Sequence, residues 1–179
     1  MKGENPNDTE LRTERLVLRR ARPEDVQAMY AVLSNERAMH YWSHGPHKHI
    51  DKTKEWLDSM IKSPPEASDD FVVTLEDGAV IGKFGAWRLP EFGFILLPDH
   101  WGRGYAGEAM KAFLDHMFKG RGVEFLRADV DPRNKGSLRL LKEHGFVETG
   151  FKVGNWHTHI GVCDSVFLEL KREAWLSAN

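Results

Sequence analysis

The segment Pro98-Asp99-His100-Trp101-Gly102-Arg103-Gly104-Tyr105-Ala106-Gly107-Glu108-Ala109 lies between an apolar run and an amphipathic stretch, which is where phosphate chemistry can be done without a catalytic side chain. A helix start exposes unpaired N–H groups and the positive end of the helix dipole, and glycines let an anion approach that backbone closely. Gly102 and Gly104 can equally serve only to turn the chain. Gly102-x-Gly104-x-x-Gly107, with Asp129 about 20 residues further on, also spells the dinucleotide fingerprint. That reading needs a parallel sheet opening directly into the glycine turn. Here Pro98 to Trp101 intervene, and the strands before them read as antiparallel hairpins. A second cluster, His40, His44, His47 and His49 beside Tyr41 and Trp42, has imidazoles for a metal, but their irregular spacing in a Gly45-Pro46 loop argues against one. Metal ligands are assigned to none.

These residues need elements to hold them. Arg15 to Arg19 alternates polar and apolar as a half-buried strand, and Arg22-Pro23-Glu24-Asp25 opens a helix to about residue 34. Asp51 is a plausible N-cap for a helix carrying Trp56, Leu57, Met60 and Ile61, which Pro64-Pro65 ends. Strands Phe71–Leu75 and Ala79–Arg88 flank Asp77-Gly78, a hairpin signal because both positions tolerate positive φ. A strand over Phe92–Leu97 precedes the glycine loop. Arg103 to Lys119 spaces Ala106, Ala109, Met110, Phe113 and Met117 as one helical stripe, stopped by Gly120 and Gly122. Strand Phe125–Val130, a helix over Asn134–His144 closed by Gly145, and strands Phe146–Val153 and Val162–Leu170 complete the order β-α-α-β-β-β-α-β-α-β-β. Trp56 and Trp87 are read as core.

Composition bounds the partners. The 179 residues, 41% hydrophobic and 29% charged, suit one folded domain, expected over residues 11–172 behind a polar tail of residues 1–10. Lys plus Arg number 25 against 27 Asp plus Glu, so at a net charge of -2 no broad field draws the chain to nucleic acid or an anionic membrane. The strongest apolar stretch, Phe94 to Leu97, is far short of a membrane span, and Met1 to Asp8 holds no signal core; the expected location is cytoplasmic. Cys163 is the only cysteine, which excludes an intramolecular disulfide framework.

Three segments in order carry a resemblance: Thr13-Glu14-Arg15-Leu16-Val17-Leu18-Arg19, then Trp101-Gly102-Arg103-Gly104-Tyr105-Ala106 with Glu108-Ala109, then Asn134-Lys135-Gly136-Ser137 followed by His144-Gly145-Phe146. Together they resemble the GNAT acyl-CoA N-acetyltransferase superfamily, in its RimJ/RimL-like branch, over about residues 11–171. The resemblance implies an α/β (α+β) GNAT fold: a mixed, strongly twisted sheet of about six to seven strands, helices on both faces, splayed between the fourth and fifth strands to admit a pantetheine arm. It implies direct transfer from acetyl-CoA to a primary amine, on a small molecule or a protein N-terminus, in a ternary complex. A catalytically silent acyl-CoA-binding or regulatory domain is the alternative, and a dinucleotide-dependent oxidoreductase a more distant one. A monomer or homodimer is expected.

The same resemblance distributes the roles. Trp101, Gly102, Arg103, Gly104, Tyr105 and Ala106 form the pyrophosphate loop, with Trp101 standing where Gln or Arg is common. A backbone N–H of Phe94, Ile95 or Leu96 meets the developing oxyanion. Asn134 and Ser137 line the pantetheine and sulfur region; Ser137 supplies a hydroxyl to the leaving thiolate, because the tyrosine common elsewhere in the superfamily is matched here by Leu141. Both residues could instead simply cap a helix. Glu91 is the candidate base, and is otherwise a solvated strand-start carboxylate. Asp164, Tyr41 and Trp42 border the acceptor, with His157 and His159 as further neighbours, and Glu108 favours the helix dipole. The acceptor decides the difficulty: deprotonating an N-terminus at pH 7 costs about 1 kcal/mol and a lysine amine about 4 to 5 kcal/mol.

Overall fold

The computed structural model describes residues 9–179, so most of the expected N-terminal tail lies outside the described residues. Strand β1 is Glu10–Arg12, β2 Leu16–Arg19, β3 Asp69–Leu75, β4 Val80–Arg88, β5 Glu91–Leu96, β6 Phe125–Val130, β7 Val147–Thr158 and β8 Gly161–Lys171. Helices are α1 Val26–Leu33, α2 Ile50–Lys62, α3 Tyr105–Asp115, α4 Lys135–Glu143 and α5 Arg172–Ala178. One sheet runs β1-β2-β3-β4-β5-β6-β8-β7. Every pairing is antiparallel except β5 with β6. A meander entering a single parallel step is not a doubly wound sheet, which removes the dinucleotide reading. The strand count exceeds the expected six to seven because Glu10–Arg12 folds back on β2.

The two sheet faces carry separate cores. Val72 and Ile95 point to α1 and α2, packing with Met29, Leu33, Met39 and Leu57. Their neighbours Phe71, Val73, Phe84 and Leu96 point the other way, onto Met110 and Phe113 of α3 and Met117 of the helical turn His116–Gly120 that follows it. This period-two division is what a sheet covered on both faces requires. The predicted α3 stripe is buried at Ala109, Met110, Phe113 and Met117.

Local signals differ in detail from expectation. The β3–β4 turn takes positive φ only at Gly78, at +88°, because Asp77 Oδ1 instead accepts a hydrogen bond from the Ala79 N–H at 2.9 Å; Gly78 N–H closes the turn on the Leu75 carbonyl. This is a three-to-four-residue turn ending in a left-handed glycine rather than a two-residue primed turn. His49 occupies the N-cap position of α2 without a side-chain cap, and Asp51 lies inside the first turn, where its charge still favours the dipole. Trp87 is not core: it is 53% exposed at the end of β4.

Asp69, fully buried at the start of β3, ties both helical layers to the sheet. His116 Nε2 lies 2.7 Å and Arg121 2.9 Å from its Oδ2, and Arg20 2.6 Å from its Oδ1. Burial pushes the carboxyl up, but the donors from His116, Arg20 and Arg121 outweigh it and hold it at about 2. A folded value below the unfolded one means that this stabilisation is complete above the ordinary carboxyl range, near 4, and is lost as pH falls toward about 2. Asp69→Asn leaves Arg20 and Arg121 without their counter-ion and His116 without its carboxylate acceptor, and is expected to cost about 3 kcal/mol in urea unfolding at pH 7. The gap between wild type and variant should shrink as pH falls from 4 to 2; a constant gap would show that the charge is not what the network uses.

Candidate active site

The site begins where sheet pairing stops. Strands β5 and β6 meet in register only at Glu91 and Arg127, with Arg127 N–H donating to the Pro90 carbonyl at 2.9 Å. Beyond that point they separate. Leu97 N–H bonds the Ile81 carbonyl on β4, so by alternation Ile95 also turns its peptide groups to β4, while Phe94 and Leu96 turn theirs to the gap. Gly82 confirms the close approach on the β4 side: a Cβ there would stand 2.0 Å from the Ile95 carbonyl oxygen. Of the three expected oxyanion donors, Phe94 and Leu96 therefore face the opening, and Ile95 does not.

The glycine loop closes one end of this gap. Gly102 and Gly104 both adopt left-handed φ, +71° and +82°, which is why glycine is needed there. The first helical bond is Glu108 N–H to the Gly104 carbonyl, and every N–H from Gly102 to Gly107 is without an acceptor among the described residues. Two ties aim the loop. Glu108 accepts Thr13 Oγ1 at 2.5 Å, Arg15 N–H at 2.8 Å and Arg15 Nε at 2.8 Å, while Arg15 Nη1 donates to the Arg103 carbonyl at 2.9 Å. Burial alone would raise the Glu108 carboxyl; Thr13 and Arg15 outweigh it and keep it low and charged. On the other side Trp101 Nε1 donates to the Leu96 carbonyl at 2.8 Å, and Arg37 lies over the indole at 5.4 Å.

A cleft of about 960 Å³ follows from the loop along β5, past Phe94 and Leu96, to Asn134 and Ser137 at the start of α4. Asn134 Oδ1 caps that helix by accepting Ser137 N–H at 3.2 Å, which leaves its amide NH2 for other partners. Ser137 Oγ makes no hydrogen bond among the described residues. Leu141 is fully buried and hydrophobic where a tyrosine is common in the superfamily. The cleft is concave, rimmed by Arg37, Arg133, Lys135 and Arg139, and floored by unpaired backbone donors, so its chemistry fits a phosphorylated, amide-bearing ligand such as CoA.

On the opposite side of the gap lies a second cavity of about 1250 Å³. The two share Tyr41, Trp42, Phe92, Gly93, Asp129 and Asp131. Glu91 is in the second cavity alone, 3.6 Å from Arg127 Nη1. Burial raises its carboxyl above the ordinary glutamate range, Arg127 opposes this, and the negative charge of Asp129 adds to it. Asp164 also lines this cavity, and its Oδ1 accepts Gly154 N–H at 2.8 Å, bracing an irregular stretch of β7. Tyr41 reaches across to the Arg133 carbonyl at 3.4 Å.

Trp56, expected in the core, does pack on the α1–α2 core and also lines this cavity, while Trp87, expected there too, only lines the cavity, as do Arg127 and Trp156. Asp129, which the sequence offers only as the acidic residue of the dinucleotide fingerprint, and Asp131 stand at the junction. The alternation of Arg127 and Asp129 with buried Leu126, Ala128 and Val130 carried the signal for one polar face of β6. The histidines separate: His40 borders the cleft and His44 the cavity, while His47 is buried against Thr53 at 2.8 Å. His159 packs on Gly45, holding the loop to the β7–β8 turn.

A family profile described as an acetyltransferase (GNAT) domain matches residues 15–147. An uncharacterized N-acetyltransferase, p20, of Bacillus licheniformis is 26% identical over 148 residues, covering 78% of this chain and 83% of its own. Spermidine N(1)-acetyltransferase of Vibrio cholerae is 28% identical over 144 residues, covering 77% and 82%. The crystal structure of spermidine N-acetyltransferase from Vibrio cholerae in complex with CoA and spermine superimposes with a TM-score of 0.81 at 24% identity, over 92% of this chain and 99% of that one. Splayed sheet, glycine loop and family match agree: the chain belongs to the GNAT family of N-acetyltransferases.

Proposed function

We propose that the chain, as a single catalytic domain over about residues 11–172, transfers the acetyl group of acetyl-CoA directly to a primary amine in a ternary complex. The observation that carries this reading is the meeting of two cavities at the sheet gap, one suited to a phosphorylated thioester and the other to an amine. The second cavity gathers Asp70, Glu91, Asp129, Asp131, Asp164 and Glu169 against Lys83, Arg88 and Arg127, an acidic excess that favours a cation although the whole chain is near neutral. Aromatic faces at Tyr41, Trp42 and Trp56 suit the same ligand.

Bound acetyl-CoA supplies the activated thioester. The unpaired N–H groups of Gly102 to Gly107 hold its phosphates, with Arg37, Lys135 and Arg139 around the rim. Phe94 and Leu96 N–H groups point to where negative charge develops on the acyl oxygen. Glu91, with its raised carboxyl, takes a proton from the acceptor ammonium through water, and Ser137 Oγ can return one to the CoA sulfur. Per turnover one C–N bond forms, the C–S bond breaks, and R–NH3+ plus acetyl-CoA give the amide, CoA thiol and one proton. A spermidine N(1)-acetyltransferase among the relatives makes spermidine a natural first acceptor to test, beside an alanine-initiated peptide.

Thermal unfolding should rise with CoA or acetyl-CoA, by about 2.7 kcal/mol at 100 times Kd, and thiol release should follow only when an acceptor amine is added. Binding without thiol release from any amine would support the silent acyl-CoA-binding reading instead. Glu91→Gln is expected to lower kcat/KM more than tenfold at neutral pH and to flatten the acidic limb of the profile, whose midpoint should lie above the ordinary glutamate range. A variant profile that matches wild type would remove Glu91 from the mechanism. Trp101→Phe keeps the ring but frees the Leu96 carbonyl; it should weaken CoA binding about fivefold, the worth of one hydrogen bond, and leave the KM for amine unchanged.

A further inference from the structure

Six carboxylates line the acceptor cavity, but they are not equivalent, and their partners separate them. Asp70 is paired with buried Lys83 at 2.8 Å, and Glu169 with Arg127 at 3.3 Å. Asp164 is committed to Gly154, and Glu91 stands back from the cofactor side beside Arg127. Among the carboxylates of the described residues, only Asp129 and Asp131 border both cavities, where acyl carbon and amine must meet. Both oxygens of Asp131 are taken by Arg133, with Nε at 2.9 Å from Oδ1 and Nη2 at 2.6 Å from Oδ2. Asp129 has no cationic side chain within ion-pair distance among the described residues.

Asp129 is nonetheless held in place. Its Oδ2 accepts Trp156 Nε1 at 2.8 Å and Asn155 Nδ2 at 3.4 Å, and Asn155 is itself fixed by the fully buried Ser165 Oγ at 2.9 Å. Trp156 is 47% exposed, so its indole is not there to fill core. Two neutral donors on one oxygen orient the carboxylate without discharging it, and among the described residues leave Oδ1 unengaged. From β6, this group stands across the gap from the free N–H groups of β5.

Resting on the acetyl-transfer reading above, we infer that Asp129 seats the acceptor's amino group at the junction of the two cavities, with Trp156 and Asn155 as the positioning residues that aim it. Oδ1 accepts one N–H of the incoming ammonium; the proton removed before attack goes by way of water to Glu91, and Asp129 keeps hold of a remaining N–H as the nitrogen closes on the acyl carbon. Selection then favours an unhindered primary amine, because its ammonium presents three N–H groups, one for Oδ1 beside the one lost to water, whereas each added alkyl group removes an N–H and a quaternary cation presents none.

The test compares wild type, Asp129→Asn and Trp156→Phe, with spermidine and an alanine-initiated peptide as acceptors, alongside calorimetric CoA affinity and melting temperature. Asp129→Asn should reduce kcat/KM for the amine by about 100-fold, and Trp156→Phe about fivefold, chiefly through the KM for amine, with CoA affinity within about twofold of wild type. An Asp129→Asn enzyme within threefold of wild type overturns the assignment. So does a variant that loses CoA affinity or melts well below wild type, since Asp129 is then structural. If wild type binds CoA yet releases thiol with neither these nor any other primary amine, the transfer reading itself falls; if wild type is active and only the variant comparison fails, the seat alone is wrong.

Discussion

A sheet that stops pairing in its middle leaves backbone donors and acceptors that must find other partners, and in this protein the gap between β5 and β6 organises everything around it. The strands hold together at Glu91 and Arg127, so the gap has a closed end and an open one. At the open end the chain turns through Pro98–His100 into the glycine loop, which presents further unpaired N–H groups to the same space. Every other feature of the site either keeps the gap open or points a group into it.

Keeping it open is the work of two ties, one between residues far apart in the chain and one made locally between the loop and β5. The clasp of Thr13 and Arg15 on Glu108 fixes the first turn of α3 against the start of the sheet, with Arg15 also resting on the Tyr105 ring at 4.6 Å. The Trp101 indole fixes the loop to β5 and satisfies the Leu96 carbonyl, leaving the gap richer in donors than acceptors. That bias suits an anion and a developing oxyanion. Behind the loop, Asp69 anchors β3 to the turn after α3 through His116 and Arg121, so the helix carrying the loop is pinned at both ends.

Electrostatics is divided along the gap in a way that net charge hides. Among the described residues the cleft sets Arg37, Arg133, Lys135 and Arg139 against Glu36, Asp129, Asp131 and Glu143, whereas carboxylates outnumber cations in the cavity beyond it, within a chain whose formal charge is only -2. Most of the carboxylates are neutralised by a neighbouring cation. What distinguishes the site is the residue left unneutralised at the junction, together with a glutamate pushed up by burial and by that neighbour.

Much of the architecture was legible in the sequence. The α3 stripe, the Gly145 helix stop and the glycine loop are local patterns, carried by periodicity, by φ preference and by the unpaired ends of helices, and the structure has them where the residues indicate. The segment resemblance added the splay and the cofactor side. What local pattern could not decide is which residues share a surface. Trp87 reads as core because an indole in a strand usually is, and only the end of β4 overhanging the larger cavity exposes it. Asp129 and Trp156 meet because β8 inserts between β6 and β7 and an irregular stretch of β7 brings the indole over β6. Chain order determines the elements through short-range sterics and hydrogen bonding; the site depends on long-range strand order and on where pairing fails, and those are settled only when the whole sheet is assembled.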